Sequence, residues 1–316
     1  MTHLTADSIA ELFTGAVMLA KNGDKASPRG MATREVLNVS MQLIQPRARL
    51  LYAPPARIIN PAFAVAETVW YLSGTDAPWI YEYNGRLRHY TDDGVLKGAY
   101  GPRMRNWARK VDQLRRVVEI LKEDPDSRRA LIQLYDPARD AAGHKDVPCT
   151  LGFRFQLRAG RLHMTTSMRG QDVWIGMPYD LFFYTTLHEL VAGWLGAELG
   201  EYHHQVGSLH IYERDLDQAN GLTDVNASKI MPDLTTPWDS FDKLLVRVEA
   251  GDETGHPGWD AMAATMRGYR RWKDGEHEQA RHTAATAGGP LGEALTAWYD
   301  ELTRRADASA PAARER

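Results

Sequence analysis

The sequence is nearly without cysteine: Cys149 is the only one in 316 residues. A single thiol closes no internal disulfide, so a packed core must hold the fold, and the usage fits a reducing compartment. Apolar runs long enough to span a bilayer are missing too, and the N-terminus, MTHLTADSIAELF, lacks the basic-then-apolar layout of a signal peptide. A cytoplasmic protein with no membrane contact is expected. An excess of either charge is also absent, 38 Lys+Arg standing against 41 Asp+Glu in interspersed order. That balance argues against duplex nucleic acid or an anionic membrane surface as a partner. The chain carries no internal repeat and no linker rich enough to divide it.

What is present is the composition of a globular protein, 43% hydrophobic, in a chain long enough to bury a large core. Periodicity and punctuation predict helices over 5–22 (capped by Thr5 or Asp7 and stopped at Gly23), 61–72, 111–123 and 178–195. Strands are predicted over 36–44, 130–135, 152–157, 162–168 and 202–212, with a hairpin turn at Arg158-Ala159-Gly160. Residues 77–105, aromatic, charged and glycine-punctuated, read as irregular structure or short strands. After Asp215 the pattern is helical, including 259–272 and 291–304, and the last residues, ADASAPAARER, read as a disordered tail. The economical reading is one α/β (α+β) domain over 1–305 with a helical C-terminal portion, followed by the tail 306–316.

Five features carry chemistry. Cys149 in DVPCT reads by itself as a small buried hydrophobe, but Arg128 and Arg129 upstream and Arg169 downstream supply cations of the kind that activate a thiol. The same arginines, with Arg29 in the turn SPRG, read either as solvated surface or as a guanidinium clamp for a phosphorylated small molecule. In VWIGMPYDLFFYT one acid, Asp180, stands in an apolar and aromatic run; it either caps the helix that Pro178 opens or faces a ligand. Glu67, in AETVW, reads alone as a solvated helix glutamate, and His210 and Tyr212 as two residues on one face of a strand.

Taken in order, PC followed by alternation, MRGQDVWIGMPYD and GSLHIYERD resemble the thymidylate synthase pattern PCH, QRSxDxxLGxPFN and GDxHxY. AETVWYLSG resembles that family's ELLWFLxG helix, SRR its phosphate-binding arginine pair and SPRG its N-terminal phosphate loop. The resemblance implies a central mixed β-sheet flanked by helices and a homodimer whose sites are shared across the interface. Cys149 would then be the nucleophile and Glu67 the acid that manages proton transfers. Arg29 and Arg169 would hold the phosphate of a pyrimidine nucleoside monophosphate, joined by Arg128 and Arg129 of a second copy. His210 and Tyr212 would bond the ribose, and Asp172 would contact the pterin of 5,10-methylenetetrahydrofolate, the one-carbon donor; no metal is implied. Thiolate addition at C6 makes C5 a carbon nucleophile, and after one-carbon transfer the exocyclic methylene is quenched by hydride, giving methyl, or by water, giving hydroxymethyl.

The departures from the pattern direct the expectation. Asp180 replaces an asparagine: an amide answers the N3–H and O4 of uracil, whereas an acid answers the amino group and bare N3 of cytosine. That points to the hydroxymethylases of (deoxy)cytidylate. The segment RLRHYTDDGVLKGAYG carries no tryptophan and the C-terminus does not match the synthase lid, so water rather than hydride is expected at the quench. Gly170 replaces a serine near the sugar, either making room for a 2′-hydroxyl, as in CMP, or meeting a backbone need. Thr150 replaces a histidine and Ser208 an aspartate. The alternatives are a thymidylate synthase acting on dUMP and a non-catalytic nucleotide- or RNA-binding relative.

Overall fold

The computed structural model describes residues 2–222 and 227–309. Its centre is a mixed sheet built on β1 (Thr2–Ala6), β2 (Thr33–Leu43), β3 (Leu131–Gln133), β4 (Thr150–Arg158), β5 (Arg161–Met168) and β6 (Glu198–Tyr212), in the order β1–β2–β6–β5–β4–β3. Short strands at Asp24–Ala26 and Gln171–Asp172 add to β2 and β6. β1 is parallel to β2 and β5 is parallel to β6, while the other neighbours on this path are antiparallel. Ala159 and Gly160, at φ 49° and 75°, make the two-residue turn of the β4–β5 hairpin, as the sequence predicts.

One irregularity in the sheet aims the site residues. Asn38 takes φ 56° inside β2, and the register places Gly207 of β6 opposite it. Before this point Tyr202, His204 and Val206 are the buried residues of β6; after it they are Leu209 and Ile211. The inward face has moved by one residue, so His210 and Tyr212 leave the core side that His204 occupies. Glycine is required at 207 by close approach, since a Cβ there would lie 2.8 Å from the Arg169 carbonyl oxygen.

The helices cover the sheet. α1 (Ile9–Lys21) is capped by Ser8, whose hydroxyl accepts from Glu11 N while the Glu11 carboxylate accepts from Ser8 N. The helix predicted from residue 5 is therefore shorter, because residues 2–6 pair with β2, a long-range contact that helical periodicity cannot reveal. α2 (Pro61–Leu72) begins at Asn60, whose side chain accepts from Ala62 N and Phe63 N, and α3 (Gln113–Glu123) begins at Asp112. α4 (Met177–Leu195) ends at Gly196 in the left-handed region. Residues 77–105 contain helical turns at Ile80–Tyr83, Gly85–Tyr90 and Tyr100–Arg105 instead of short strands. The last turn is fixed from outside: buried Arg103 donates to both Asp140 oxygens at 2.6 and 2.7 Å.

After a short helical turn at Leu216–Asn220 come α5 (Trp238–Ala250), α6 (Pro257–Lys273), α7 (His277–Ala287) and α8 (Gly289–Ser309). α6 and α8 both pack on α2, and one hydrophobic cluster takes in residues from Ile9 to Tyr299. α8 continues four residues into the segment expected to be disordered; 310–316 lie outside the described residues. Among the described residues no helix is long and apolar enough to cross a membrane.

The start of β4, next to Cys149, depends on glycine as well, because a Cβ at Gly152 would collide with the Ile132 carbonyl of β3. Gly152→Ala should destabilise by about 1–3 kcal/mol, as overpacking against backbone does. The comparison is Gly170→Ala, whose Cβ would have only ordinary contacts at 3.8 Å and should leave stability unchanged. Thermal unfolding of the two variants checks the contrast.

Candidate active site

Cys149 sits in the loop that enters β4, and Arg169, just past β5, grips that loop. The backbone N–H of Arg169 donates to Cys149 O at 2.9 Å, and its guanidinium donates to Pro148 O at 3.0 Å and Val147 O at 2.9 Å. Two backbone carbonyls thereby fix a cation beside the thiol. Arg29, held at φ 55° between Pro28 and Gly30, is exposed and also acts electrostatically on Cys149. Within the single chain, however, the balance favours the neutral thiol. Burial pushes its pKa up, Arg169 and Arg29 lower it only in part, and the carboxylates of Asp180 and Asp146 raise it further. Arg169 and Arg29 alone do not offset burial, which disfavours the thiolate within one chain.

Two carboxyl groups, Asp180 and Asp146, act on this thiol, and both also act on a third, Glu67. Glu67 is the only charged residue of α2, most of which is buried, and its pKa is held well above the ordinary glutamate value by burial and by Asp180, against the bond it accepts from Tyr71 Oη at 3.4 Å. Asp180 is pushed up to about 6 by burial, opposed by hydrogen bonds from Gln171 and Tyr184. Asp146 is raised by burial, although the Gly98 backbone N–H bonds to it. Perturbed carboxyls that act on one another and on a thiol are the pattern of an acid–base site. Asp146 was not singled out from the sequence; its one available signal was its place in DVPCT.

Asp180 does not cap its helix. The cap position of α4 is Gly176, with no side-chain bond, and the Asp180 carboxylate faces away into a chain of polar side chains. Gln171 Nε2 donates to Oδ2 at 2.8 Å and Tyr184 Oη donates to Oδ1 at 3.2 Å. Each oxygen thus receives one donor and keeps a lone pair.

A carboxylate only accepts, so the chain has a direction. Gln171 must show its amide N–H to Asp180, which turns Oε1 towards His204 Nε2, 3.2 Å away. Burial lowers the His204 pKa to about 3, so the ring is neutral and carries its proton on Nε2. Nδ1 is left as the acceptor and faces the Tyr202 hydroxyl at 2.8 Å. On the other side Tyr184 gives its proton to Asp180, so Thr150 Oγ1, 2.6 Å away, must donate to Tyr184, and Tyr100, 2.9 Å from Thr150, must donate to Thr150. Thr150 therefore works as a link that both accepts and donates. Tyr100 stacks on Tyr71 at 4.7 Å, and Cys149 is among the groups that raise its pKa. Sequence reading missed Tyr71, Tyr100, Tyr184, Gln171 and His204, which read as core aromatics and a strand polar residue until the fold joins them.

The remaining expected residues divide. Gly170, Asp172, His210 and Tyr212 converge: a Cβ at Gly170 would lie 3.8 Å from His210 Cε1, Asp172 pairs with His210, and the His210 and Tyr212 rings meet edge to face at 5.5 Å. Gly170 has neither a left-handed φ nor a close backbone neighbour, so the backbone reading of this glycine is set aside. Asp172 Oδ1 accepts from Trp174 N and Ile175 N, and Ser208 donates to Glu35. Arg128 and Arg129 are exposed and do not join Cys149 within the chain. Phe155 N donates to Ala130 O, which puts both arginines at the far end of β4, roughly 20 Å from Cys149 at about 3.3 Å per residue. His163, Glu201 and His203 bring possible metal-ligand atoms within 4.8 Å on the opposite face of the sheet; Glu201 there already accepts from Gln42 at 2.8 Å.

The thymidylate synthase family profile matches residues 17–246. The chain is similar to the deoxyuridylate hydroxymethyltransferase of Bacillus phage SP01, 37% identical over 209 residues that cover 62% of this chain and 54% of the phage protein. It is also similar to the deoxyuridylate hydroxymethyltransferase of Pseudomonas phage M6, 34% identical over 195 residues covering 60% and 55%. The chain spans about half the length of these curated relatives. A profile that takes in most of the sequence, matched by a central mixed sheet flanked by helices, assigns the protein: it belongs to the thymidylate synthase family.

Proposed function

We propose that the protein is a folate-dependent 5-hydroxymethylase of a cytidine nucleotide, CMP or dCMP. The observation that carries the reading is Asp180: a carboxyl group with a pKa near 6, bonded once on each oxygen, with one lone pair on each oxygen left for a base. Cytosine offers an amino N–H and a bare N3. One Asp180 oxygen accepts the first, and a proton shared with the other bridges to the second, which a carboxyl titrating near neutrality holds more readily than an ordinary aspartate.

Cys149 Sγ adds to C6, and the proton shared at N3 offsets the charge that develops on the ring. C5 then becomes the carbon nucleophile. Bound methylenetetrahydrofolate supplies the one-carbon unit, with Asp172 as the residue assigned to its pterin. Glu67, held protonated more readily than a surface glutamate, moves protons at the pyrimidine. The C5 proton and tetrahydrofolate leave to form the exocyclic methylene, water adds to that carbon, and the Cys149 thiolate is expelled from C6. Arg169 and Arg29 take the phosphate, and Arg128 and Arg129 reach it only from a second copy in a homodimer. Water capture is supported by the hydroxymethyltransferase names of both relatives. The missing tryptophans of RLRHYTDDGVLKGAYG support it less than the sequence suggested, because Trp174 and Trp298 line the neighbouring cavity.

A second reading, hydroxymethylation of dUMP, is favoured by the substrate in the relatives' names. A protonated Asp180 could donate to O4 and accept from N3–H of uracil, so this reading needs the neutral acid.

Incubating the protein with CMP, dCMP or dUMP and methylenetetrahydrofolate, followed by mass analysis, should give hydroxymethyl product from the cytidine nucleotides. Product from dUMP alone would reject the first reading. Asp180→Asn should cut kcat/KM for the cytidine nucleotide by roughly a hundredfold or more and shift preference to uracil, since mismatched buried groups stay unpaired. Gly170→Ser should move the CMP-to-dCMP preference about tenfold towards dCMP, an effect the size of one lost contact. Finally, iodoacetamide modification of Cys149 in the nucleotide-free protein should be slow at pH 7 and rise about tenfold per pH unit beyond the ordinary thiol range, because its thiol is raised. A plateau near neutrality would show an activated thiol instead.

A further inference from the structure

One arm of the Asp180 chain runs through four buried side chains, Gln171, His204, Tyr202 and Thr166. Each contact in it pairs a donor with an acceptor only when the whole arm is set one way or the other. In the forward setting Gln171 Nε2 donates to Asp180 Oδ2 at 2.8 Å and, with its second hydrogen, to the Asp172 carbonyl oxygen at 3.3 Å. Gln171 Oε1 then accepts from His204 Nε2 at 3.2 Å. Tyr202 Oη stands 2.8 Å from both His204 Nδ1 and Thr166 Oγ1, and it has one proton to give. Given to Nδ1, that proton completes the forward setting. Given to Thr166, it obliges His204 to carry its own proton on Nδ1, which bares Nε2 towards Gln171 Oε1 and forces the amide to turn over.

Turning the amide over changes where Asp180 can hold a proton. A reversed Gln171 sets its oxygen against two acceptors, Asp180 Oδ2 and the Asp172 carbonyl. The first contact survives only with a proton on the side of Asp180 that faces Gln171, and the second not at all, which weighs towards the forward setting. In that setting the protein side of Oδ2 is filled by the amide N–H, as the protein side of Oδ1 is filled by the Tyr184 hydroxyl at 3.2 Å. A proton taken up by Asp180 is then left with the lone pairs that face the base.

We propose that Gln171, locked by His204, is a positioning residue for base recognition: by donating to Oδ2 it turns the Asp180 proton outwards, to the edge of the pyrimidine ring. This rests on the reading of Asp180 above and deepens it, since it extends the choice of base to a buried histidine two contacts behind the carboxyl.

The tautomer of His204 is the first test. Nitrogen NMR of the full chain labelled at histidine and saturated with CMP, dCMP or dUMP should show its proton on Nε2. The signal is assigned by its loss in His204→Gln. If that variant does not fold, His204 is still recognised as one of two rings, with His188, whose pKa burial lowers to about 3, and His188 is fixed with its proton on Nε2 by the Leu162 carbonyl at 2.7 Å. A neutral Nδ1–H ring at His204 in the complex would overturn the proposal.

The second test is the nucleotide affinity of Gln171→Glu across pH, by calorimetry. Ionised, the new carboxyl gives Asp180 no donor and competes for its proton, so the cytidine nucleotide should bind about tenfold or more weakly than to wild type at pH 8. The gap should close as pH falls towards 5, where the new carboxyl carries a proton and donates as the amide does. The titratable groups around Asp180, which are Glu67, Asp172 and Cys149 with the buried tyrosines, are the same in both proteins. Equal affinity at pH 8, or a gap of the same size at every pH, would overturn the proposal. Binding of dUMP alone would remove the cytidine reading, while His204 in that complex would still decide the relay, because a proton donated to O4 needs the same setting. Conversion of cytidine nucleotides with the Nδ1–H ring would leave the reading and remove the relay, and failure to bind any nucleotide would remove both.

Discussion

A carboxylate cannot donate a hydrogen bond, and at Asp180 that restriction orders the polar interior of the site. Because Gln171 and Tyr184 must donate to it, the amide orientation of Gln171, the tautomer of His204 and the proton positions on Thr150 and Tyr100 all follow. Neither arm of this chain is a surface feature. His204 and Thr150 are fully buried, so a reversed or missing link would leave an unpaired group where water cannot replace it. The chain also joins the group that would read the base to Tyr100, on the Cys149 side of the cleft. A change of protonation at Asp180 would propagate to that hydroxyl.

The electrostatics of the free site are those of a place waiting for cations and a ligand. Glu67, Asp146, Asp180 and Cys149 are all shifted towards their protonated forms, with burial as the leading cause in each. Against them within one chain stand Arg169, tied to the cysteine loop, and the exposed Arg29. A bound nucleotide would exclude the remaining water, and arginines from a second copy would add positive charge at the phosphate; the proposed reaction has room for both.

The framework achieves this placement by a few local devices. The paired irregularity at Asn38 and Gly207 changes which residues of β6 face inward, which leaves His204 in the polar chain and turns His210 and Tyr212 away from that side. Arg49, buried against Glu189 and bonded to Thr186 at 2.9 Å, ties the chain before α2 to α4, so the helices bearing Glu67 and Asp180 keep their relation. α8 packs on α2 from outside the family-matched segment.

Much of this was written locally. Pro61, Asn60, Gly196 and the Ala159-Gly160 turn set element ends through backbone chemistry that neighbours in sequence supply, and those elements fall where periodicity puts them. The order of AETVWYLSG, PC, MRGQDVWIGMPYD and GSLHIY was enough to suggest the family and to bring Glu67, Cys149, Arg169, Asp180 and His210 forward. Tertiary structure alone decided the rest. β1 exists because residues 2–6 find β2, and the turns in 77–105 exist because Arg103 finds Asp140, partners that no local pattern announces. Likewise the charge state of Cys149, the direction of the Asp180 chain and the return of α8 depend on burial and on side chains far apart in sequence. Desolvation and hydrogen-bond satisfaction are properties of a closed interior, and they acquire values only when the chain has folded around them.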